Sequence, residues 1–257
     1  MDKKQYAAGF IGAGNMGGAL LRAVRKQTDS VAVFDTDAEK AAASGAAVLP
    51  TKTLAAVCRF VFLGVKPNAV AAVCAEIAPV LTAETVVVSM AAGITTQTLC
   101  AQLGTDRVVR IMPNTPVSVG AGLILYAPSA GITAADEADF LALLQYAGGF
   151  DRLDEKLMNA GMAVSGCGPA YVYMFCEALA DGAVRCGLPR DKAMRYAAET
   201  LLGGAEMLLQ SGKHPGELKD AVCSPGGTTI EGVLALENGA FRAAVADAVI
   251  RAYDKTK

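Results

Sequence analysis

Short apolar runs alternate with Ala-rich helical stretches as far as Leu153. The runs that we predict to be strands are Ala7–Ile11, Val31–Phe34, Phe60–Val65, Val86–Ser89, Val108–Met112, Leu123–Tyr126 and Phe150–Leu153. Gly and Pro residues interrupt the chain between nearly all of them. Strands that alternate with helices are typical of βαβ units in a parallel sheet, so the pattern predicts a doubly wound α/β domain over residues 1–153.

After Asp154 the pattern changes to long Ala-, Leu- and Met-rich stretches with helical periodicity. We predict helices at Tyr171–Cys186, Arg190–Ser211 and Phe241–Tyr253, and each is apolar on more than one face. A helix of that kind must be buried nearly all round, and a domain of about a hundred residues offers too little interior. We therefore predict that residues 154–257 form an all-helical domain, and that a second copy of the chain buries part of its apolar surface.

The composition excludes several classes of function. The net charge of −2 comes from mixed signs spread along 257 residues, so no basic stripe is available for nucleic acid. No apolar run approaches the ~20 residues that span a bilayer, and residues 1–6 lack the apolar stretch of a signal peptide. We expect a cytoplasmic protein without membrane partners. The seven scattered cysteines lack metal-ligand or disulfide spacing, so we expect buried thiols and no metal site.

A glycine-rich turn, Gly12-Ala13-Gly14-Asn15-Met16-Gly17, follows the first predicted strand and leads into a helix. In this context the first glycine allows a tight turn and the second lets the backbone approach a pyrophosphate. The third lets the helix pack on the strand, and the free N–H groups of the helix face the anion. The turn therefore predicts a Rossmann-type dinucleotide site, against the alternative of a βα turn without a ligand.

Asp35 ends the second predicted strand, at about the spacing that the dinucleotide fingerprint requires. A carboxylate here accepts hydrogen bonds from the adenosine ribose and repels a 2′-phosphate, which favours NAD. Thr36 and Lys40 follow it and offer groups that contact phosphate, and Asp37 is a candidate cap for the next helix. The sequence therefore leaves the choice between NADH and NADPH open.

Two further turns lie where strands end, at the edge of an α/β sheet that faces ligands. Lys66 and Pro67 follow the third predicted strand, and Lys66 is either beside the dinucleotide or a solvated lysine before a helix that begins at Pro67. Asn114 and Thr115 lie between two prolines after a later strand. They offer amide and hydroxyl groups to a ligand, or they belong to a rigid connection.

The helical half contains an unusual segment, residues 221–232, which places glycines and hydroxyl groups just before a predicted helix. Free N–H groups at the start of a helix, together with the helix dipole, form a binding site for a small carboxylate. The alternative is that Ser224 or Thr228 only caps the helix.

Taken together, these motifs resemble those of pyrroline-5-carboxylate reductases. The resemblance covers nearly the whole chain and rests on Gly9–Ala19, Val65–Pro67, Met112–Pro116, Gly166–Tyr171, Ala178–Gly182, Gly187–Arg190 and Ser224–Ile230, in this order. It implies an N-terminal Rossmann domain, a helical dimerisation and substrate domain, and NAD(P)H-dependent reduction of a C=N bond to give L-proline. It also implies a homodimer that assembles further, commonly into a decamer.

The resemblance also assigns residues. It implies that the pyrophosphate is held by residues 12–17, and that the nicotinamide end is lined by Lys66, Pro67, Asn114 and Thr115. The substrate carboxylate would be bound by Ser224, Gly226, Gly227, Thr228 and Thr229. Thr229 also lies near the ring nitrogen in the family, so its hydroxyl is our candidate for proton delivery. Cys167 departs from the usual serine of the family, and Asp35 departs from the small polar residue of many NADPH-dependent members.

Two rival functions need different residues. A β-hydroxy acid oxidoreductase needs a general acid, commonly a lysine on the first long helix of the second domain, where this chain offers Lys156. That hypothesis leaves the glycine- and threonine-rich loop unexplained. A dinucleotide sensor would bind the cofactor without turnover. His214, the single histidine, lies in a turn outside these loops, and reduction of a protonated imine does not require a strong base.

Overall fold

The computed structural model of the chain describes residues 4–256. It divides into two compact units, one ending at Gly166 and the other running from Cys167 to Lys255. Within the described residues, strands occur only in the first unit and the last of them ends at Arg152. The last strand thus ends one residue before Leu153, whereas the division between the compact units lies 13 residues after Leu153, at Gly166.

One eight-stranded sheet organises the first unit. Its strands are β1 (Tyr6–Ile11), β2 (Val31–Phe34), β3 (Ala47–Val48), β4 (Cys58–Leu63), β5 (Val86–Ser89), β6 (Val108–Met112), β7 (Gly122–Pro128) and β8 (Gly148–Arg152). Its helices are α1 (Asn15–Arg25), α2 (Ala38–Ala43), α3 (Thr51–Val57), α4 (Pro67–Ile77), α5 (Thr96–Leu103), α6 (Ala134–Leu143) and α7 (Met158–Ser165). The strand order β3-β2-β1-β4-β5-β6-β7-β8 reverses direction between β1 and β4. This reversal opens a crevice at the carboxyl ends of the strands.

The sheet is mixed at one edge, whereas the sequence pattern predicts a parallel sheet throughout. β6 and β7 pair antiparallel, and β8 then pairs parallel with β7. The segment between β6 and β7, residues 113–121, holds only a short 3-10 turn. A parallel crossover needs about a dozen residues or more, usually with a helix, so this connection is too short for one.

Apolar side chains cover both faces of the sheet. On one face, the rings of Phe10 and Phe62 stack with their centroids 4.4 Å apart. On the other, Ile11 and Val61 pack with residues of α3, α4 and α5. Burial on both faces explains why β1 and β4 are near-continuous apolar runs instead of alternating ones.

The second unit is helical throughout the described residues. It contains α8 (Gly168–Arg185), α9 (Arg190–Ser211), α10 (Pro215–Val222), α11 (Thr228–Asn238) and α12 (Phe241–Asp254). α8 and α9 pack through the small buried residues Ala180, Ala193 and Ala197. Many larger apolar side chains of α9 are exposed in the single chain, among them Leu202, Met207 and Leu209. This is the exposed apolar surface that we predict for helices that meet a second copy.

The helices of the described residues include none that is both long and apolar enough to cross a bilayer. All seven cysteines lie within the described residues, and none of them forms a disulfide. The prediction that they are buried is correct for Cys58 and Cys74, where burial raises the pKa to about 12 and about 11. It is wrong for Cys186, which is exposed near the end of α8.

Candidate active site

The glycine-rich segment after β1 packs against the end of β4 so closely that only glycine fits at two of its own positions and at one position after β4. Gly12 has a φ of +100°, and a Cβ atom there would lie 2.6 Å from the carbonyl oxygen of Gly64. A Cβ at Gly64 would lie 2.6 Å from the carbonyl oxygen of Gly12, and a Cβ at Gly17 would overlap that same oxygen. These glycines therefore bring the start of α1 against the ends of β1 and β4, as the first and third glycines of the fingerprint predict.

Gly14 differs from its neighbours because no protein atom lies within 4 Å of the position where its Cβ would be. The residue is exposed, and it is the N-cap of α1 with no side chain hydrogen-bonded at the cap. Asn15 and Met16 then form the first turn of the helix, with their backbone amides at its positive end. The turn thus has the properties of a pyrophosphate cradle: open space above a glycine, and helix amides that no side chain of the described residues caps.

A cavity of about 660 Å³ continues from this turn. Its lining comes from the ends of β1, β2 and β4, from the start of α3 and from α4. It comprises Ile11, Gly12, Gly14, Phe34, Asp35, Thr36, Pro50, Thr51, Gly64, Val65, Lys66, Asn68, Ala69, Val73 and Glu76. Most of this lining is apolar, with a few polar groups, as in sites that bind an aromatic ring and a sugar. The residues present therefore fit the adenosine half of a dinucleotide.

Asp35 lies at the mouth of this cavity, where β2 ends. One carboxylate oxygen accepts the backbone N–H of Ala13 at 2.6 Å, and the other accepts the N–H of Asp37 at 2.9 Å. The carboxylate therefore ties the glycine turn to the end of β2. Asp37 caps α2 by accepting from the amides of Glu39 and Lys40, and it pairs with the Lys40 ammonium at 3.0 Å. The expected helix cap at Asp37 is thus confirmed.

Lys66 and Pro67 lie just after the carboxyl end of β4. The structure bears on both hypotheses for this turn, a lysine beside the dinucleotide and a solvated lysine before a helix. Pro67 is the first residue of α4 and Lys66 is its N-cap. Lys66 is exposed and also lines the cavity, so its ammonium is available to a ligand. A solvated lysine before a helix and a lysine beside the dinucleotide are therefore compatible in this fold.

Asn114 is held by two hydrogen bonds within the first unit. Its side-chain amide donates to the carbonyl oxygen of Ser165 at 3.0 Å, and its side-chain oxygen accepts from the N–H of Leu123 at 2.9 Å. Thr115 follows as an exposed residue that begins the 3-10 turn. The Asn114 side chain thus fixes the loop after β6 to the end of α7, which agrees with the alternative that it belongs to a rigid connection.

An ion pair at the start of α5 is a further contact that the sequence pattern does not predict. Glu155 accepts from the backbone N–H and the hydroxyl of Thr96, at 2.8 and 2.6 Å, and from Arg110 at 3.1 Å. Burial tends to raise the pKa of Glu155, but the hydrogen bonds from Thr96 and the positive charge of Arg110 outweigh it and hold the pKa below its ordinary value of 4.5. The three residues are far apart in sequence, so no local signal predicts their contact.

In the second unit, the glycine- and threonine-rich segment forms a tight turn before α11. The N–H of Gly227 donates to the carbonyl oxygen of Ser224 at 3.0 Å, and Gly226 has a φ of +66°. α11 begins at Thr228, with Gly227 as N-cap, and no side chain of the described residues caps it. The alternative that Ser224 or Thr228 only caps this helix is therefore wrong, and the amides of the first turn remain available.

The other candidates have structural roles. His214 is the N-cap of α10, and its Nδ1 atom accepts the N–H of Gly216 at 3.1 Å. Lys156, the general acid of the rival β-hydroxy acid hypothesis, pairs with Asp154 at 2.8 Å.

Comparison with known proteins bears on both units. A family model described as pyrroline-5-carboxylate reductase dimerisation matches residues 155–257, and one described as coenzyme F420-dependent NADP oxidoreductase matches residues 7–93. Pyrroline-5-carboxylate reductase of Escherichia coli K12 is 41% identical over 267 aligned residues, covering 100% of this chain and 98% of that protein. The chain belongs to the pyrroline-5-carboxylate reductase family.

Other members of the pyrroline-5-carboxylate reductase family agree with this assignment. The protein of Glycine max is 41% identical over 99% of this chain and 96% of its own length. A solved structure of the Plasmodium falciparum enzyme, with NADP bound, superposes with a TM-score of 0.89 at 30% identity, covering 99% of this chain and 98% of that one. The family resemblance and the α/β fold class with a helical C-terminal half, both predicted from the sequence, are therefore confirmed.

Proposed function

We propose that this chain reduces 1-pyrroline-5-carboxylate to L-proline with NADH or NADPH, the final step of proline biosynthesis. The observation that carries the proposal is the turn before α11 in a member of this reductase family. Its helix amides are uncapped by side chains of the described residues, and the turn and the first two helical positions include Ser224, Thr228 and Thr229. A small carboxylate is the ligand that such an arrangement favours.

The substrate carboxylate is bound by this turn. The amides at the start of α11 donate to it, and the residues that contact it are Ser224, Gly226, Gly227, Thr228 and Thr229. Because backbone amides provide most of these hydrogen bonds, replacement of Thr228 has little effect on carboxylate binding. This turn holds the substrate by a group remote from the C=N bond, and so fixes the orientation of the ring.

The cofactor is bound in the first unit. Its pyrophosphate lies on Gly12, Ala13, Gly14, Asn15, Met16 and Gly17, and its adenosine ribose lies at Asp35. Lys66, Pro67, Asn114 and Thr115 line the nicotinamide end, with Asn114 acting through the loop that it fixes. The bound nicotinamide supplies the hydride, and the protein contributes orientation and exclusion of water. The Thr229 hydroxyl delivers the proton to the ring nitrogen, directly or through a water molecule.

The proposal is tested by steady-state reduction of 1-pyrroline-5-carboxylate by the full-length protein. We expect turnover, a fall in kcat of about tenfold or more for Thr229→Ala, and recovery of most of the activity in Thr229→Ser. Unchanged turnover of Thr229→Ala would remove the role of its hydroxyl. Absence of turnover in the unmodified protein, with either nucleotide, would contradict the proposed function itself.

The two domains divide this work. Residues 1–153 bind the dinucleotide, and residues 154–257 form the dimerisation and substrate domain of a cytoplasmic homo-oligomer. The exposed apolar side chains of α9 support an interface between copies. A dimer that assembles further into a decamer is our expectation for the complete particle. Light scattering on the purified protein measures its mass, and a monomer at micromolar concentration would contradict the assignment.

A further inference from the structure

We propose that this chain prefers NADH to NADPH, and that Asp35 is the residue that determines the preference. The inference rests on the proposed dinucleotide site and specifies which cofactor that site accepts. It concerns the end of β2, where the adenosine ribose meets the cavity wall. Three observations at that position support it.

The first observation is the hydrogen-bonding capacity that Asp35 retains. An ionised carboxylate has about four acceptor positions on its two oxygens. The amides of Ala13 and Asp37 use one position on each oxygen, at 2.6 and 2.9 Å. One acceptor position therefore remains on each oxygen. This matches the two ribose hydroxyls of NADH, each of which donates one hydrogen bond.

The second observation is that the carboxylate is held in place. Both of its oxygens are bonded to backbone amides, one in the glycine turn and one just after β2. If Asp35 moved away from a 2′-phosphate, both amides would lose their acceptor and the glycine turn would lose its tie to β2. The repulsion between the carboxylate and a phosphate is therefore not relieved by a simple rotation of the side chain.

The third observation is the position of the nearby cations. The Lys40 ammonium forms an ion pair at 3.0 Å with Asp37, the residue that caps α2. Lys66 lines the cavity but follows β4, and β1 lies between β2 and β4 in the sheet. Two strand spacings amount to roughly 10 Å, which separates the backbone of Lys66 from the end of β2 where Asp35 lies. The hydrogen bond to Asp37 raises the pKa of Lys40, and the charges of Asp37 and Asp35 raise it further, so this ammonium already interacts with two carboxylates. A 2′-phosphate at Asp35 would have to compete with both carboxylates for it.

Charge on the cavity wall points the same way. Glu76 also lines the cavity, so two carboxylates and the single ammonium of Lys66 are the charged groups among its described lining residues. The related Plasmodium falciparum structure has NADP bound, but that protein is only 30% identical to this chain. The nucleotide bound to that relative therefore does not determine which nucleotide this chain prefers.

The test measures equilibrium binding of NADH and of NADPH to the intact protein by calorimetry, together with kcat/KM for both nucleotides. We expect the dissociation constant of NADH to be lower by about tenfold or more. Asp35→Asn removes the charge and keeps one acceptor oxygen. We therefore expect the ratio of the NADPH dissociation constant to the NADH dissociation constant to fall by about tenfold in this variant. Glu39→Gln is the matched control, because this exposed residue of α2 carries the same charge and lies outside the cavity lining.

Each outcome decides a separate point. Equal or tighter binding of NADPH by the unmodified protein would overturn the proposal, whatever the variants do. An unchanged ratio in Asp35→Asn, with circular dichroism showing a folded protein, would overturn the role of Asp35. A preference for NADH in binding without turnover of 1-pyrroline-5-carboxylate would leave this inference standing and contradict the proposed function instead.

Discussion

Gly14 and Gly17 lie in the same turn, but the structure predicts opposite consequences when each is replaced by alanine. A Cβ at Gly17 would overlap the carbonyl oxygen of Gly12, whereas a Cβ at Gly14 would meet no protein atom within 4 Å. Gly17→Ala should therefore damage the fold. Gly14→Ala should leave the fold intact and place a methyl group where the pyrophosphate must approach the backbone.

The magnitudes separate the two variants. Overpacking against backbone costs up to about 3 kcal/mol, and alanine within α1 recovers about 1 kcal/mol of helix propensity. The net loss for Gly17→Ala is roughly 2 kcal/mol, or a fall of roughly 4–8 °C in Tm for a protein of this size. At the N-cap Gly14, the weaker capping by alanine and the reduced freedom of the unfolded chain nearly cancel, at about 0.5 kcal/mol each.

Two assays distinguish these effects. Thermal unfolding without nucleotide should show a lowered Tm for Gly17→Ala and an unchanged Tm for Gly14→Ala. Titration with NADH, followed by nicotinamide fluorescence, should show binding weakened by about tenfold or more in Gly14→Ala. If Gly14→Ala binds NADH as the unmodified protein does, the pyrophosphate does not lie on this turn. If Gly17→Ala keeps its Tm, the packing argument is wrong.

Two further predictions concern stability. Ala240 has a φ of +55°, a left-handed conformation that costs about 1–2 kcal/mol for a residue with a Cβ. Glycine avoids this cost but increases the conformational entropy of the unfolded chain, so Ala240→Gly should stabilise the protein by a net amount of about 0.5–1 kcal/mol. A lowered Tm would contradict this prediction. Because the folded-state pKa of Glu155 lies below 4.5, its bonds to Thr96 and Arg110 stabilise the fold above that pH and are lost as the pH falls through the lowered value. The free energy of unfolding, measured with denaturant between pH 7 and pH 3, should therefore fall less for Glu155→Gln than for the unmodified protein. An equal fall for both proteins would refute the stabilising role of the Glu155 carboxylate.

Local chemistry explains what the sequence could predict. The first glycine turn is a continuous motif between a strand and a helix, so the presence of the turn and of the helix after it follows from neighbouring residues. Pro67 at the first position of α4 follows in the same way. The helices of the second half have a long apolar periodicity, and α9 has the predicted bounds, Arg190–Ser211.

Contacts between distant residues explain what the sequence could not predict. β3 contains only two residues, too few for a periodic pattern, and it forms because β2 offers a free edge. The antiparallel direction of β7 depends on the length of its connection to β6, residues 113–121. The bonds of Asn114 to Leu123 and Ser165 join segments that no motif links. The spacing of Asp35 from the glycine turn indicates a contact with ribose, but it does not reveal that the carboxylate also binds the backbone N–H of Ala13.

Hydride transfer to the C=N bond is the central claim, and isotope labelling tests it most directly. The purified protein is mixed with 1-pyrroline-5-carboxylate and with NADH deuterated at the transferable position of the nicotinamide, and the product is analysed by mass spectrometry and NMR. We predict L-proline with one deuterium on the methylene carbon next to the ring nitrogen. Oxidation of the cofactor without labelled proline, or no oxidation although NADH binds, would contradict the account.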